Sequence, residues 1–449
     1  MARSADSARF DRRTLLVGAG GVLLTGCSGG SGGGSPDAKG SSTSPSASAS
    51  GPIIHEQDAG TVISKADIDD LVGRLNAAVE AADVDALKAI APSIRRPVWK
   101  QRFANLARYP MDEIGFAFDE SLGRQVNASG GRLEVTAYMA LTHQITGVDS
   151  RPALQIYSAT LMKDDPDAAV QISEIDNEPS DDASPAPWDL QGDWEVVEGD
   201  HVIVVALDDD IARVRAALPA IDEGVAQAMD LIAPPAGVTK AYFAFTAPDS
   251  RLYGQQWNSS NIRERDGLAM RVGYIDPEQA AKSGKGAGDK AAYAGARLVL
   301  HAGALESAGR LRDVAMHETI HGLAFQWGDA DPWPTEGLAM WGEVGGLAGL
   351  RADSYYWPLV RSGFAGFRSR MRGVGGVDSA VFQDPATTST NYACAAAVYG
   401  FVESREGRAG ALRFAKTAYS KTPADAAMGL GFQDTDDLFG KVQQWVTTL

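Results

Sequence analysis

The chain has 449 residues, 44% of them hydrophobic, and a formal net charge of −17. That is too much chain for one ordinary domain and enough apolar material for more than one core, so two globular domains are expected. The excess of acid argues against nucleic acid as a partner, because phosphate binding needs a basic surface.

Asp11-Arg12-Arg13-Thr14 leads into a short apolar run that ends in Leu24-Thr25-Gly26-Cys27. The run is too short to span a bilayer stably, and residues 1–27 read as a signal peptide. Arg12 and Arg13 resemble a twin-arginine export signal, and residues 24–27 resemble a bacterial lipobox. The resemblance implies cleavage before Cys27, lipid on its thiol, and residence on the outer face of the bacterial cell membrane. Cys394 is the only other cysteine, so the mature chain can form no internal disulfide, and Cys394 is expected as a small buried hydrophobe. Residues 28–58, mostly Gly, Ser, Pro and Ala, cannot bury surface and are expected as a flexible tether.

The first domain is placed at residues 59–183. Residues 67–91 are amphipathic at helical spacing through Leu71, Leu75, Val79, Leu87 and Ile90, with a break near Asp83 that suggests two helices. From Ile114 the texture turns to strands, IGFAFD, RLEVTAYMALTHQI, ALQIYSATLM and AAVQISEI, which predicts an antiparallel sheet behind the helices. This α+β pattern resembles the NTF2-like domains. His143, on one of these strands, reads as structural. Residues 176–188, DNEPSDDASPAPW, read as a solvated linker and the domain boundary.

The second domain is placed at residues 188–449. Strand-like VVEGDHVIVVAL, a helix start at Asp208-Asp209-Asp210, a long helical run and KAYFAFTA form a β-α-β pattern. After an irregular stretch containing Gly and Lys, residues 296–304, ARLVLHAGA, read as a strand, with His301 near its end as a candidate substrate contact or structural residue.

Residues 311–327, LRDVAMHETIHGLAFQW, hold His317, Glu318 and His321 in the spacing H-E-x-x-H. Residues four apart on a helix differ by about 40° in direction, so both imidazoles can reach one ion. Glu318 projects about 100° from His317, placed to take a proton from water at the ion's open position. Met316, Ile320, Leu323 and Trp327 supply an apolar stripe beside the histidines. Catalytic zinc sites take three protein ligands, and Asp329, Asp331 and Glu336 are the candidates for the third. Glu336 sits in DPWPTEGLAMWGE, whose prolines and apolar run predict a second helix starting just before it.

H-E-T-I-H followed by W-P-T-E-G-L-A resembles the gluzincin metallopeptidases, and the resemblance implies Glu336 as the third zinc ligand. It also implies that the strand at residues 296–304 is the sheet edge along which substrate pairs. The Gly-x-Met-Glu-Asn segment of the aminopeptidases of this group is absent from the chain. YACAAAVYGFVESREG, residues 392–407, resembles the gluzincin helix that begins with a catalytic tyrosine. This implies Tyr392 as the oxyanion donor, with Tyr399 as the alternative. Some gluzincins orient a ligand histidine with an acid four residues after the third ligand. Here that position is Met340, so Asp313, Asp329 and Glu343 are the substitutes.

The expected molecule is therefore α+β: an NTF2-like domain followed by a mostly helical gluzincin-type domain with a small sheet. It would be a lipid-anchored peptidase with one Zn²⁺ ion, acting on a peptide or protein substrate. The alternative is a binding lipoprotein with an inactive peptidase-like domain.

Overall fold

The computed structural model describes residues 62–92, 97–118, 125–127, 132–176, 186–189, 194–246, 267–274, 292–301, 307–372 and 379–449. The signal peptide, Cys27 and all but the last three residues of the region before the first helix, 62–64, lie outside the described residues.

Three helices open the fold: α1 Lys65–Glu80, α2 Val84–Ile90 and α3 Pro97–Leu106. Ser64 and Asp67 form a reciprocal capping box at the start of α1, satisfying two backbone amides that a helix start leaves open. The break expected near Asp83 is there, because the Asp83 carboxylate accepts from the amides of Asp85 and Ala86 and starts α2. Strands β1 Met111–Phe118, β2 Gln125–Asn127, β3 Leu133–Ile145, β4 Ala153–Lys163 and β5 Gln171–Asp176 form an antiparallel sheet in the order β1-β3-β4-β5, with β2 also pairing β3.

The second sheet contains β6 Trp194–Glu198, β7 Val202–Leu207, β8 Ala241–Thr246, β9 Gly267–Tyr274 and β10 Ala292–His301, in the order β6-β7-β8-β10-β9. Helix α4, Ile211–Leu231, crosses between the parallel strands β7 and β8, which is the expected β-α-β unit. The expected edge strand is corrected. β10 pairs with β8 on one side and β9 on the other, so among the described residues β9 is at the edge, antiparallel to its neighbour. The physical reason lies in β10 itself: from Arg297 to His301 every residue is buried, as in a strand covered on both faces.

Alternate residues of the second sheet serve two cores. Ile203, Val205, Tyr242, Leu268 and Val299 join the core of the first sheet, while Val204, Phe243, Phe245, Leu298 and Leu300 face a cluster shared with α4 and the helix that follows β10. The second sheet is thus the middle layer of the molecule. Residues 186–188, the end of the stretch read as a linker, and Asp189 after it pack into the first core: Trp188 Nε1 donates to the Tyr157 hydroxyl at 3.0 Å, which donates to Asp189 at 3.1 Å. Burial, opposed by the charge of Arg102, pushes the Asp189 carboxyl up to about 6.

The remainder is helical: α5 Ala308–Ala324, α6 Pro332–Glu343, α7 Gly346–Ala352, α8 Tyr356–Met371, the short α9 Ser379–Phe382, α10 Thr388–Ser420, α11 Pro423–Gly429 and α12 Thr435–Thr448. The fold class is α+β with a mostly helical C-terminal region, as expected. α10 kinks at Gly407, whose φ of 71° and ψ of 176° suit a residue without Cβ. Trp341, Phe364, Phe367, Tyr399 and Phe439 anchor the core these helices share. Among the described residues, no helix is long and apolar enough to cross a membrane.

Candidate metal centre

Helix α5 begins at Ser307, whose hydroxyl accepts from the Arg310 amide at 3.2 Å. From Val314 to Ala324 every residue is buried, because the helix is enclosed on three sides. Leu311, Val314 and Ala315 face the second sheet, and Met316, Ile320 and Leu323 face the C-terminal helices. His317, Glu318 and His321 leave by the remaining face, only 3–5% exposed.

Helix α6 starts at Pro332 after Asp331, and brings the buried Glu336 opposite that face. Glu336 Oε2 lies 3.2 Å from His317 Nε2 and 3.3 Å from His321 Nε2. A tetrahedral ion with N and O ligands at roughly 2.0–2.2 Å requires separations of about 3.3–3.5 Å between ligand atoms. The three donors, all within 4.8 Å of one another, therefore fit around one metal ion, and they are the only such group among the described residues. Asp329 lies instead 3.4 Å from Arg271 Nη1, and Asp331 occupies the N-cap of α6. Of the three carboxylates open from spacing alone, the structure brings Glu336 to the histidines.

The cluster is strongly coupled. Burial alone would favour neutral His317, but hydrogen bonds to Glu336 and Glu343, with the charges of Glu343 and Glu318, hold its imidazole well above the usual histidine range. Burial would likewise raise the Glu336 carboxyl, yet His321 and His317 bring it down to about 2. Such a site keeps its carboxylate ionised, and a cation entering it takes the place of a proton.

Glu343, one of the three substitutes considered for the missing acid, lies 2.9 Å from His317 Nδ1 through Oε2. By accepting the Nδ1 proton it leaves the Nε2 lone pair free to bind a cation beside Glu336. Met340 is buried in the helical core, and Asp313 is engaged by Arg312 at 2.7 Å. Among the described residues His321 Nδ1 has no hydrogen-bond partner.

Gly267, the first residue of the edge strand, touches Glu318 so closely that a Cβ there would sit 2.6 Å from the side chain's Cγ and from its carboxylate Oε1. The sequence reading missed this residue because β9 lay in a stretch with no clear period. Its one signal was a glycine before the short apolar run Leu268-Ala269-Met270.

Tyr392 is the fifth residue of α10, buried, with its ring stacked at 6.4 Å from that of His317 and packed on Phe382 at 5.4 Å. Asn391 fixes this part of the helix: its Nδ2 donates to the Phe382 carbonyl at 2.7 Å and its Oδ1 accepts from Arg370 at 2.6 Å. Tyr399, two turns on, donates its hydroxyl to the Pro334 carbonyl at 2.9 Å and so secures the start of α6.

His143 lies outside the centre and is structural. It sits 3.3 Å from Arg297 Nη2 and edge-on to Trp188. His301 is buried at the end of β10 beside Thr246. Cys394 is fully buried, and burial pushes its thiol far up. No family model matches the chain, and no curated protein matches it in sequence.

Proposed function

We propose that the chain is a zinc-dependent metallopeptidase of gluzincin type, exported and held at the outer face of a bacterial membrane by lipid on Cys27. The reading is carried by the buried His317, His321 and Glu336, whose separations of 3.2 and 3.3 Å lie close to the edge of a zinc tetrahedron. The ligand set, two neutral imidazoles and one carboxylate, is one that leaves a fourth position open.

When bound there, zinc would supply Lewis acidity, lowering the pKa of a water and polarising the scissile carbonyl. Glu318 accepts the proton of the attacking water and returns it to the departing amine. The Tyr392 hydroxyl donates to the oxygen of the carbonyl as it becomes tetrahedral. Glu343 keeps His317 in the tautomer that directs Nε2 at the centre. β9, the edge strand that begins beside Glu318, offers backbone donors and acceptors to an extended peptide.

Digestion of a peptide library by the zinc-loaded protein and by Glu318→Gln tests this. The variant should keep its zinc and lose at least about 100-fold of the cleavage rate, because the ligands remain while the proton acceptor is gone. Equal cleavage by both proteins would overturn the proposal.

A further inference from the structure

Tyr293, near the start of β10, donates its hydroxyl to the carbonyl of Gly322 at 3.1 Å. Gly322 directly follows His321 and lies in the last turn of α5, where intrahelical donors run out. The hydrogen bond therefore fixes the turn that carries one metal-binding imidazole. It runs from the middle sheet to the helix, and Tyr293 is in turn placed from the opposite side of that sheet.

The pairing register of β10 shifts between Tyr293 and Gly295, and the turn that follows β3 seats itself on this irregularity. Ser150 donates to the Ala294 carbonyl twice, from its amide and its hydroxyl, each at 2.8 Å. The Asp149 carboxylate lies over Gly295 with no room for a Cβ. Arg297 clamps the same carboxylate through Nη1 at 2.6 Å and Nη2 at 2.8 Å, while the Ile145 amide holds it from its own turn at 2.9 Å. Val148 of this turn lines one small cavity together with Tyr293, Ala296, Thr319 and Gly322. A continuous set of contacts thus runs from the first sheet, through β10, to the residue after His321.

We propose that Tyr293 is a positioning residue for His321, held in place by the turn at residues 146–151, so that the N-terminal half of the chain sets the metal affinity of a site on the far side of the middle sheet. The inference rests on the metal site proposed above. Outer contacts that orient a metal-binding histidine change affinity by about 10- to 100-fold when removed.

Zinc affinity is measured by competition with a chelator in the full-length mature protein, in Tyr293→Phe and in Ser150→Ala, with thermal unfolding of each metal-free form alongside. Tyr293→Phe should bind zinc about 10-fold more weakly, and Ser150→Ala should shift affinity in the same direction by less. A merely structural hydroxyl would lower the melting temperature and leave the affinity of the folded protein unchanged. Wild-type affinity in folded Tyr293→Phe overturns the inference alone. If that variant does not fold, wild-type affinity in Ser150→Ala overturns it. Failure of the wild-type protein to bind zinc overturns the underlying metal site instead.

Discussion

Tyr392 and Tyr399 lie seven residues apart on α10, and their neighbours assign them different work. Tyr392 stacks by His317, whereas the Tyr399 hydroxyl is committed to the Pro334 carbonyl. Tyr392→Phe should lower kcat by about 10- to 1000-fold with little change in KM, as loss of one oxyanion donor does. Tyr399→Phe should instead cost about 0.5–1.5 kcal/mol of stability, the net worth of one hydrogen bond, with kcat close to wild type. Steady-state kinetics and denaturant unfolding of both variants check the division, and the reverse pattern would move the oxyanion role to Tyr399. Helical periodicity could not separate them, since a seven-residue step returns to almost the same direction. His317, Glu318 and His321 could be grouped from the sequence because the H-E-x-x-H spacing lies within one helix. Glu343 was one of three acids left open, because which of them reaches Nδ1 depends on how α6 packs on α5.

At the scale of elements, the contact between the edge strand and α5 was the least legible feature. β10 is apolar enough to be recognised as a strand, but the same property puts it inside the sheet, where both neighbours cover it. β9 begins with Gly267 and has Arg271 and Gly273 among its apolar residues, so it carries little period of its own. The short β2 and the helix α3 also went unread, the first at three residues and the second behind Pro97. Gly267→Ala tests the strand's place: its Cβ would meet the buried Glu318 side chain at 2.6 Å and displace either the carboxylate or the strand. The account predicts a kcat reduced about 10-fold or more, as misplacement of a reacting group produces, with zinc affinity kept. Unchanged kcat would place the carboxylate elsewhere during turnover.

For the whole molecule, the middle sheet makes one body of what the sequence divides into two domains, since its two faces enter two different cores. The strand and helix texture of each half was readable from period alone. Their union was not, because it depends on long-range pairs such as Asp149 with Arg297, both almost fully buried. A lone arginine inside the apolar run ARLVLH was the available sign that a buried partner must exist. Asp149→Ala leaves that guanidinium buried without its carboxylate and should destabilise the protein by about 3–5 kcal/mol. The double variant Asp149→Leu with Arg297→Met should recover most of the loss. Urea unfolding monitored by tryptophan fluorescence checks both, and a loss in Asp149→Ala below about 1 kcal/mol would show that the pair does not hold the halves together.

The most direct test of the metal centre is a calorimetric zinc titration of the wild-type protein beside Glu336→Ala, Asp329→Ala and Asp331→Ala. In the proposed site Glu336 would supply one of three ligand atoms and the only negative charge within the ligand group. Its removal should therefore weaken binding steeply, while the two aspartate variants bind one ion as the wild type does. Full-affinity binding by Glu336→Ala, with loss in either aspartate variant, would contradict the account and move the metal to a different carboxylate.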